Sequence, residues 1–377
     1  MNELIAERIV VRILEAPIDD PVPMSFSRLT ARRSCLVEVH AGGLVGVGDS
    51  WINYPDWAPA ERVATLLDGV APLVLGRDVT DPPTILRHLE ASLSGVGRQW
   101  GAPGPIWQAI SGIDLALWDL AGKRANRPTG ELIGTADRAA PAYASGIGPT
   151  DVERLTERAV ELGLTAVKAK IGFGDRTDRA TIDGIRRVSD SLQIFADANQ
   201  AWDLEEAIDQ ARRLKDLGIG WLEEPIRGDD PTDLSRLYSK TSMPLATGEN
   251  VYTPAALQTA AAVPGLAQLQ PDPGKSGGLT VLAELAGTLP DSCRLSPHWY
   301  SGAVGLRSAV TLATALPTAG WVEYDVRPNP LRDDLLADGF PFHNGHLSAP
   351  TSVGLVGDLD LDRVQAFQTH LAERSAA

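Results

Sequence analysis

The chain is poor in cysteine. Cys35 and Cys293 are the only two in 377 residues, which excludes a disulfide framework and a cysteine-based zinc site. No apolar stretch is long enough to span a bilayer. The first residues, "MNELIAERIVVRILEAP", place acids and arginines where a secretory leader would run basic and then apolar. Positive charge is scarce too: 34 Lys and Arg face 49 Asp and Glu, a net charge of -15. Non-specific nucleic-acid binding needs the opposite balance. No low-complexity linker interrupts the sequence. Together these absences predict a cytoplasmic globular protein with no nucleic-acid and no membrane partner. A small anionic substrate stays open to it, provided a local positive pocket receives it.

Such a pocket is suggested by "LTAVKAKIGFG", residues 164–174. Lys168 and Lys170 stand two apart at the end of a short apolar run, and in a strand such residues share a face. Adjacent ammonium groups repel. The expectation is that repulsion lowers the pKa of one toward a usable base, while the other holds substrate charge.

From about residue 140 onward, short apolar runs alternate with amphipathic stretches. The polar residues that close the runs are Ser145, Lys170, Asp197, Glu223, Glu249, Asp272, His298 and Glu323, spaced 23–27 residues apart. Eight strand–helix units of this size predict a parallel sheet closed into a (β/α) barrel of the TIM type. Strand C-termini in such barrels share one rim, so the period gathers these side chains around one mouth. Within one unit, "DLEEAIDQARRLKDLG" offers Asp203 as N-cap and Gly218 as stop.

The flanks differ. Residues 5–51 read as a strand meander and residues 59–124 as helical. There Ile106, Ile110, Ile113, Leu117 and Leu120 form an apolar stripe. The tail suggests a strand–turn–strand around "FHNGH" and a helix near 360–374. The resulting division is an α+β domain over 1–125, a barrel over 126–330, and a segment over 331–377 that packs back on the first domain.

Three carboxylates on one rim must be protonated, separated or bridged by a cation. Asp197, Glu223 and Glu249 close consecutive strands, and all-oxygen ligation favours Mg²⁺ or Mn²⁺ over zinc. Removing one acid should relieve repulsion in the metal-free protein and leave stability unchanged or raised. Asp272 and His298 close neighbouring strands, where an Asp orients a His and stabilises its protonated form. Acid/base groups on two sides of a metal-held carboxylate suit removal and return of a proton at the adjacent carbon through an enediolate. Glu323 is placed to hydrogen-bond a substrate or to cap its strand. Two motifs are set aside. "GKSGG" at 274–278 is half a phosphate loop, but the full pattern needs Gly where Leu269 stands. "HNGH" at 343–346 reads as a hairpin tip.

The ordered set "KAK", "DAN", "WLEEP", "TGEN", "QPDPGKSGG", "SPH" and "VEYDVRPNPLR" resembles the enolase superfamily, in particular its mandelate racemase-like subgroup. The resemblance spans nearly the whole chain. It implies a modified (β/α) barrel whose mouth is covered by an N-terminal α+β capping domain. It further implies Lys170 as the base on one face with Lys168 its substrate-facing neighbour, and Asp197, Glu223 and Glu249 as Mg²⁺ ligands. Asn199 would contact the substrate carboxylate. His298 with Asp272 would form the opposite acid/base dyad, and a protonated Glu323 would donate to the carboxylate. The muconate-cycloisomerase-like branch would carry Lys where Asp272 stands. One departure is "GDS" at 48–50, where relatives commonly have Gly-Glu; it is expected to lie away from the chemistry.

By the same resemblance the function is Mg²⁺-dependent dehydration of a sugar acid, with a racemase, epimerase or sugar-lactone cycloisomerase as the alternative. A catalytically silent relative is the remote third reading, but no ligand or base is lost. A homo-oligomer is implied as well. "APIDDPVPMSFSRLTARR" and "SWINYPDW" match the family's two specificity loops. Trp51, Tyr54 and Trp57 would meet the substrate's C–H face or line an apolar pocket. Arg28 and Arg32 are candidates for a second substrate carboxylate, with surface placement the plainer expectation.

Overall fold

The computed structural model describes residues 3–135 and 138–376. The N-terminal meander consists of β1 (Ala6–Pro23), β2 (Arg28–Ala41) and β3 (Leu44–Ser50), paired antiparallel in that order. One face of this sheet is covered by the helix Pro103–Ala125. The expected stripe of that helix is buried, and so is much of its other side. Gly48 permits the contact, because a Cβ there would stand 2.1 Å from the Gly112 carbonyl oxygen. A second long helix, Pro82–Trp100, packs beside the first.

The barrel strands are β4 (Ala140–Ile147), β5 (Ala166–Lys170), β6 (Gln193–Asp197) and β7 (Leu222–Glu223). They continue with β8 (Leu245–Thr247), β9 (Leu266–Leu269), β10 (Arg294–Leu295) and β11 (Val322–Asp325). All eight run parallel, in the order β10–β9–β8–β7–β6–β5–β4–β11. Between β10 and β11 the ring is closed by Leu295 N–H to Thr318 O (3.1 Å) and Gly320 N–H to Leu295 O (2.8 Å). Each of the first seven strands is followed by a helix. After β11 only the short helix Pro330–Asp333 remains, so the last unit is truncated. In the unit after β6, the Asp203 carboxylate accepts from Glu206 N–H at 2.9 Å. Gly218 there takes a φ of 73°, and the helix stops as its sequence predicts. An aromatic floor fills the barrel below the rim: Phe195 and Trp221 stack at 3.2 Å, with Tyr143 edge-on.

The tail departs from expectation. The hairpin is present as β12 (Phe342–His343) and β13 (His346–Leu347), with β13 pairing to the start of β4. The expected helix over 360–374 is present only as Leu361–Phe367, and the rest is β14 (Gln368–Ser375), antiparallel to β1. The exposed edge of β1 offers unpaired main-chain groups, and pairing with them overrides the local helical pattern. The stretch matched to a first specificity loop is also mostly strand. β1 and β2 stay paired out to Pro23 and Arg28, leaving a turn of Met24–Ser27.

The long cap helix Pro103–Ala125 is tied directly to the barrel. Asp114 accepts from Thr280 N–H (3.0 Å) and Thr280 Oγ1–H (2.5 Å) at the start of the barrel helix Gly278–Ala286. Burial pushes the Asp114 carboxyl up from the ordinary 3.8 to about 7, outweighing these donors. A carboxyl raised in the fold contributes stability below its unfolded pKa. That contribution is lost as pH rises through about 7. Asp114→Asn keeps the shape without the titration. Its stability relative to wild type is expected to improve by on the order of 2 kcal/mol between pH 4.5 and pH 8 in denaturant unfolding. An unchanged difference across that range would exclude a buried titrating Asp114.

Candidate active site

The rim residues converge as the strand period implies. Lys170, Asp197 and Glu223 end β5, β6 and β7. Lys170 pairs with Asp197 and Asp197 with Glu223 in direct register, so their side chains share one direction. Glu249, Asp272 and His298 stand just past β8, β9 and β10, and Glu323 lies within β11.

Every acid here meets a cation. Lys168 Nζ stands 2.5 Å from Glu223 Oε1, 3.1 Å from Glu323 Oε1 and 3.6 Å from Asp197 Oδ2. Lys170 Nζ donates to Asp197 Oδ2 at 2.5 Å and to Asn199 Oδ1 at 2.7 Å. His298 Nδ1 is 2.7 Å from Asp272 Oδ2, and its Nε2 is 2.9 Å from Glu249 Oε2.

This geometry corrects the expected weak lysine. Burial acts to lower both ammonium pKa values, but the adjacent carboxylates outweigh it. Glu223 and Glu323 hold Lys168 above the ordinary value, and Asp197 does so for Lys170. Repulsion between the two lysines is a lesser effect, because carboxylates stand between them and their charge. For His298, burial is likewise outweighed by Glu249 and Asp272, and the imidazole is pushed up to about 10. At neutral pH it is a cation held by two acids. Glu249 is held well below the carboxylate range: burial opposes this, but His298, Lys275 and Lys170 prevail. Burial pushes Glu223 up to about 7 despite Lys168.

Among the described residues, no three His, Cys, Asp or Glu side chains converge on a single point. The reason is visible in the pairs above: Asp197, Glu223 and Glu249 each turn to a different cation. The donor set still fits a hard divalent ion. Asp197, Glu223, Glu224, Glu249, Asp272 and Glu323 share this rim with Lys168, Lys170, Lys275 and a charged His298. The six acids thus outnumber the four cations by two. Glu323 Oε2 is buried without a hydrogen-bond partner, and every available ligand atom of the three acids is oxygen.

Above the rim lies a cavity of about 590 Å³. Lys170, Asn199, Glu249, His298 and Glu323 line it from the barrel, and Trp51, Tyr54 and Trp57 from the cap. Lys168, Asp197, Glu223 and Asp272 are buried behind that wall. Asn199 has a φ of 44°. Its carbonyl accepts from Ser25 Oγ–H at 2.7 Å, a direct link from the cap turn to the rim.

Some contributors were not singled out by sequence. Lys275 of "GKSGG" lines the cavity, donates to Asn250 Oδ1 at 2.9 Å and stands 4.4 Å from the Trp51 ring. A signal existed, since Lys275 follows the rim residue Asp272 by three. Asn250 bridges Glu224 (2.8 Å) and Glu249 (3.1 Å). Asp49 of "GDS" is nearer the chemistry than expected. It accepts from Ser301 Oγ–H at 2.8 Å and so holds the loop that follows His298. Arg28 is exposed. Arg32 is buried, against the surface expectation, because its Nη2 pairs with Asp325 Oδ2 at 2.5 Å. Among the described residues, no helix is long and apolar enough to cross a membrane.

Residues 8–134 match the model for the mandelate racemase/muconate lactonizing enzyme N-terminal domain, and residues 151–363 match the enolase C-terminal domain-like model. The arabinonate dehydratase of Saccharolobus solfataricus is 29% identical over 83% of this chain and 84% of its own. The D-galactarolactone cycloisomerase of Agrobacterium fabrum is 28% identical over 94% and 97%. A solved Bradyrhizobium enolase-type protein, complexed with magnesium and mandelic acid, superposes with a TM-score of 0.86. It is 25% identical, with 98% of this chain and 100% of that one covered. Fold, rim and sequence thus agree: the chain belongs to the mandelate racemase/muconate lactonizing enzyme family of the enolase superfamily.

Proposed function

We propose that this enzyme removes the proton next to the carboxylate of a small hydroxy acid, and that its overall reaction is dehydration of a sugar acid to a 2-keto-3-deoxy acid. One observation carries the reading. Lys170 and His298, the latter held by Asp272, reach the same cavity from β5 and β10, three strands apart around the rim.

Asp197, Glu223 and Glu249 would hold Mg²⁺, or Mn²⁺ in its place. When bound, the ion supplies positive charge to the substrate carboxylate and to the enediolate formed from it. Lys170 becomes a base once Asp197 has another cation to face. It then takes the α-proton as the C–H bond breaks. His298, protonated and steadied by Asp272, gives its proton to the departing 3-hydroxyl, so water leaves with the C–O bond pair. The resulting enol tautomerises to the keto acid. Asn199 and Lys168 would fix the substrate carboxylate, with Glu323 as a further hydrogen-bonding partner. Trp51 and Tyr54 would contact the remainder.

A cycloisomerase is the second reading. Its support is the galactarolactone relative, which aligns over nearly the whole chain, together with the "EYD…NPLR" ending. Cytoplasmic residence and a homo-oligomeric state complete the proposal; the two buried free thiols accord with the former. Turnover in D₂O with Mg²⁺, followed by NMR over sugar acids and their lactones, separates the readings. A deuterated 2-keto product is the expected result. An opened or isomerised lactone selects the cycloisomerase, and an inverted hydroxyl centre selects an epimerase.

A further inference from the structure

We propose that the cavity takes a polyhydroxy acid with a single carboxylate and an uncharged far end, and excludes diacids. This rests on the proposed sugar-acid function and narrows its substrate class.

The barrel end of the cavity already meets one anion, with Lys170 and His298 on its wall. The cap end is built differently. Met24, Phe26, Trp51, Tyr54 and Trp57 present apolar or aromatic surface there. The arginines of the cap are engaged or turned elsewhere. Arg62 lines the cavity, but its Nη1 donates to Ser50 Oγ and to the Trp51 carbonyl and its Nη2 to Gln108 and Glu61, so that only its buried Nε lacks a partner. Arg32 is held by Asp325, and Arg33 by Glu15 and Asp56. Arg28 is exposed and absent from the cavity wall. Lys275 is buried, donating to Asn250 and covered by the Trp51 ring.

The other charged group on the cap wall is Glu61, an acid that is itself paired with Arg62. A second substrate carboxylate would therefore meet an apolar wall and a cation already matched by an acid. A charge buried without a partner is strongly disfavoured. Hydroxyls fare better. Trp51 Nε1 and Tyr54 Oη are buried without hydrogen-bond partners. A hydroxylated chain supplies an acceptor for the first and either role for the second, while its C–H faces lie on the rings. A volume of about 590 Å³ accommodates a chain of five or six carbons.

The test is equilibrium binding by calorimetry with Mg²⁺, on a His298→Asn chain whose turnover is slowed about 10²-fold or more. The probes are the full stereoisomeric sets of five- and six-carbon aldonates and the matching aldarates. At least one aldonate should bind, its aldarate partner about 10²-fold more weakly. Glu61→Gln should narrow that gap several-fold by freeing Arg62 of its acid. The wild-type kcat/KM ratio for each pair reads the same discrimination if the substituted chain is unstable. An aldarate that binds as tightly as its aldonate overturns the inference and leaves the dehydratase reading standing. Failure of every sugar acid to bind removes both.

Discussion

Replacing His298 by Asn is expected to cost turnover about 10²-fold or more, the scale of a missing general acid or base. The cause lies in the dyad. Asp272 Oδ2 stands 2.7 Å from Nδ1 and would leave Nε2 as the working atom. Nε2 stands 2.9 Å from Glu249 Oε2, so a proton carried there lies at the rim. Asn can copy the hydrogen bond to Asp272 but cannot carry the proton. The diagnostic readout is the split between exchange and turnover. With Lys170 as base, the α-proton of substrate should still exchange with D₂O in His298→Asn while keto product disappears. Near-wild-type turnover in the variant would make the dyad structural and the mechanism wrong. Loss of exchange together with turnover would move the first proton transfer to His298.

The barrel and its rim were legible because strand period and rim chemistry coincide. Asp197 and Glu223 end adjacent strands in register, so linear spacing alone aligns them. Lys275 is not announced by its motif, because its place depends on how the chain turns after β9. The protonation of Lys168 and Lys170 is hidden in the sequence for a related reason. Sequence shows two like charges side by side, whereas the fold places Glu223, Glu323 and Asp197 around them. At the C-terminus, the pattern of 368–375 permits a helix, and only the open edge of β1 makes it a strand. Long-range pairing of this kind, between residues more than 350 apart, leaves no local signature. Arg32 is a similar case: nothing near it in the chain announces Asp325.

Charge-neutral substitution of the three rim acids should have the largest effect of all. Asp197→Asn, Glu223→Gln and Glu249→Gln are each expected to lower Mg²⁺-dependent turnover roughly 10³-fold or more, because developing charge in the transition state would lose its stabilising partner. Stability separates this from unfolding. Burial already pushes Glu223 up to about 7, so its ionised form is a burden on the metal-free fold at neutral pH and above. Lys168 would still face Glu323 at 3.1 Å and Asp197 at 3.6 Å. Glu223→Gln should therefore melt no lower than wild type in EDTA at pH 8. Wild type should gain stability from Mg²⁺ by about 2.7 kcal/mol at a hundredfold excess over Kd, whereas the substituted chains should gain little. The two melts, with and without Mg²⁺, read both effects at once. Full activity of wild type in excess EDTA, or an undiminished Mg²⁺ shift in all three variants, would remove these acids from the metal site. The surplus of acids over cations at the rim would then need another explanation.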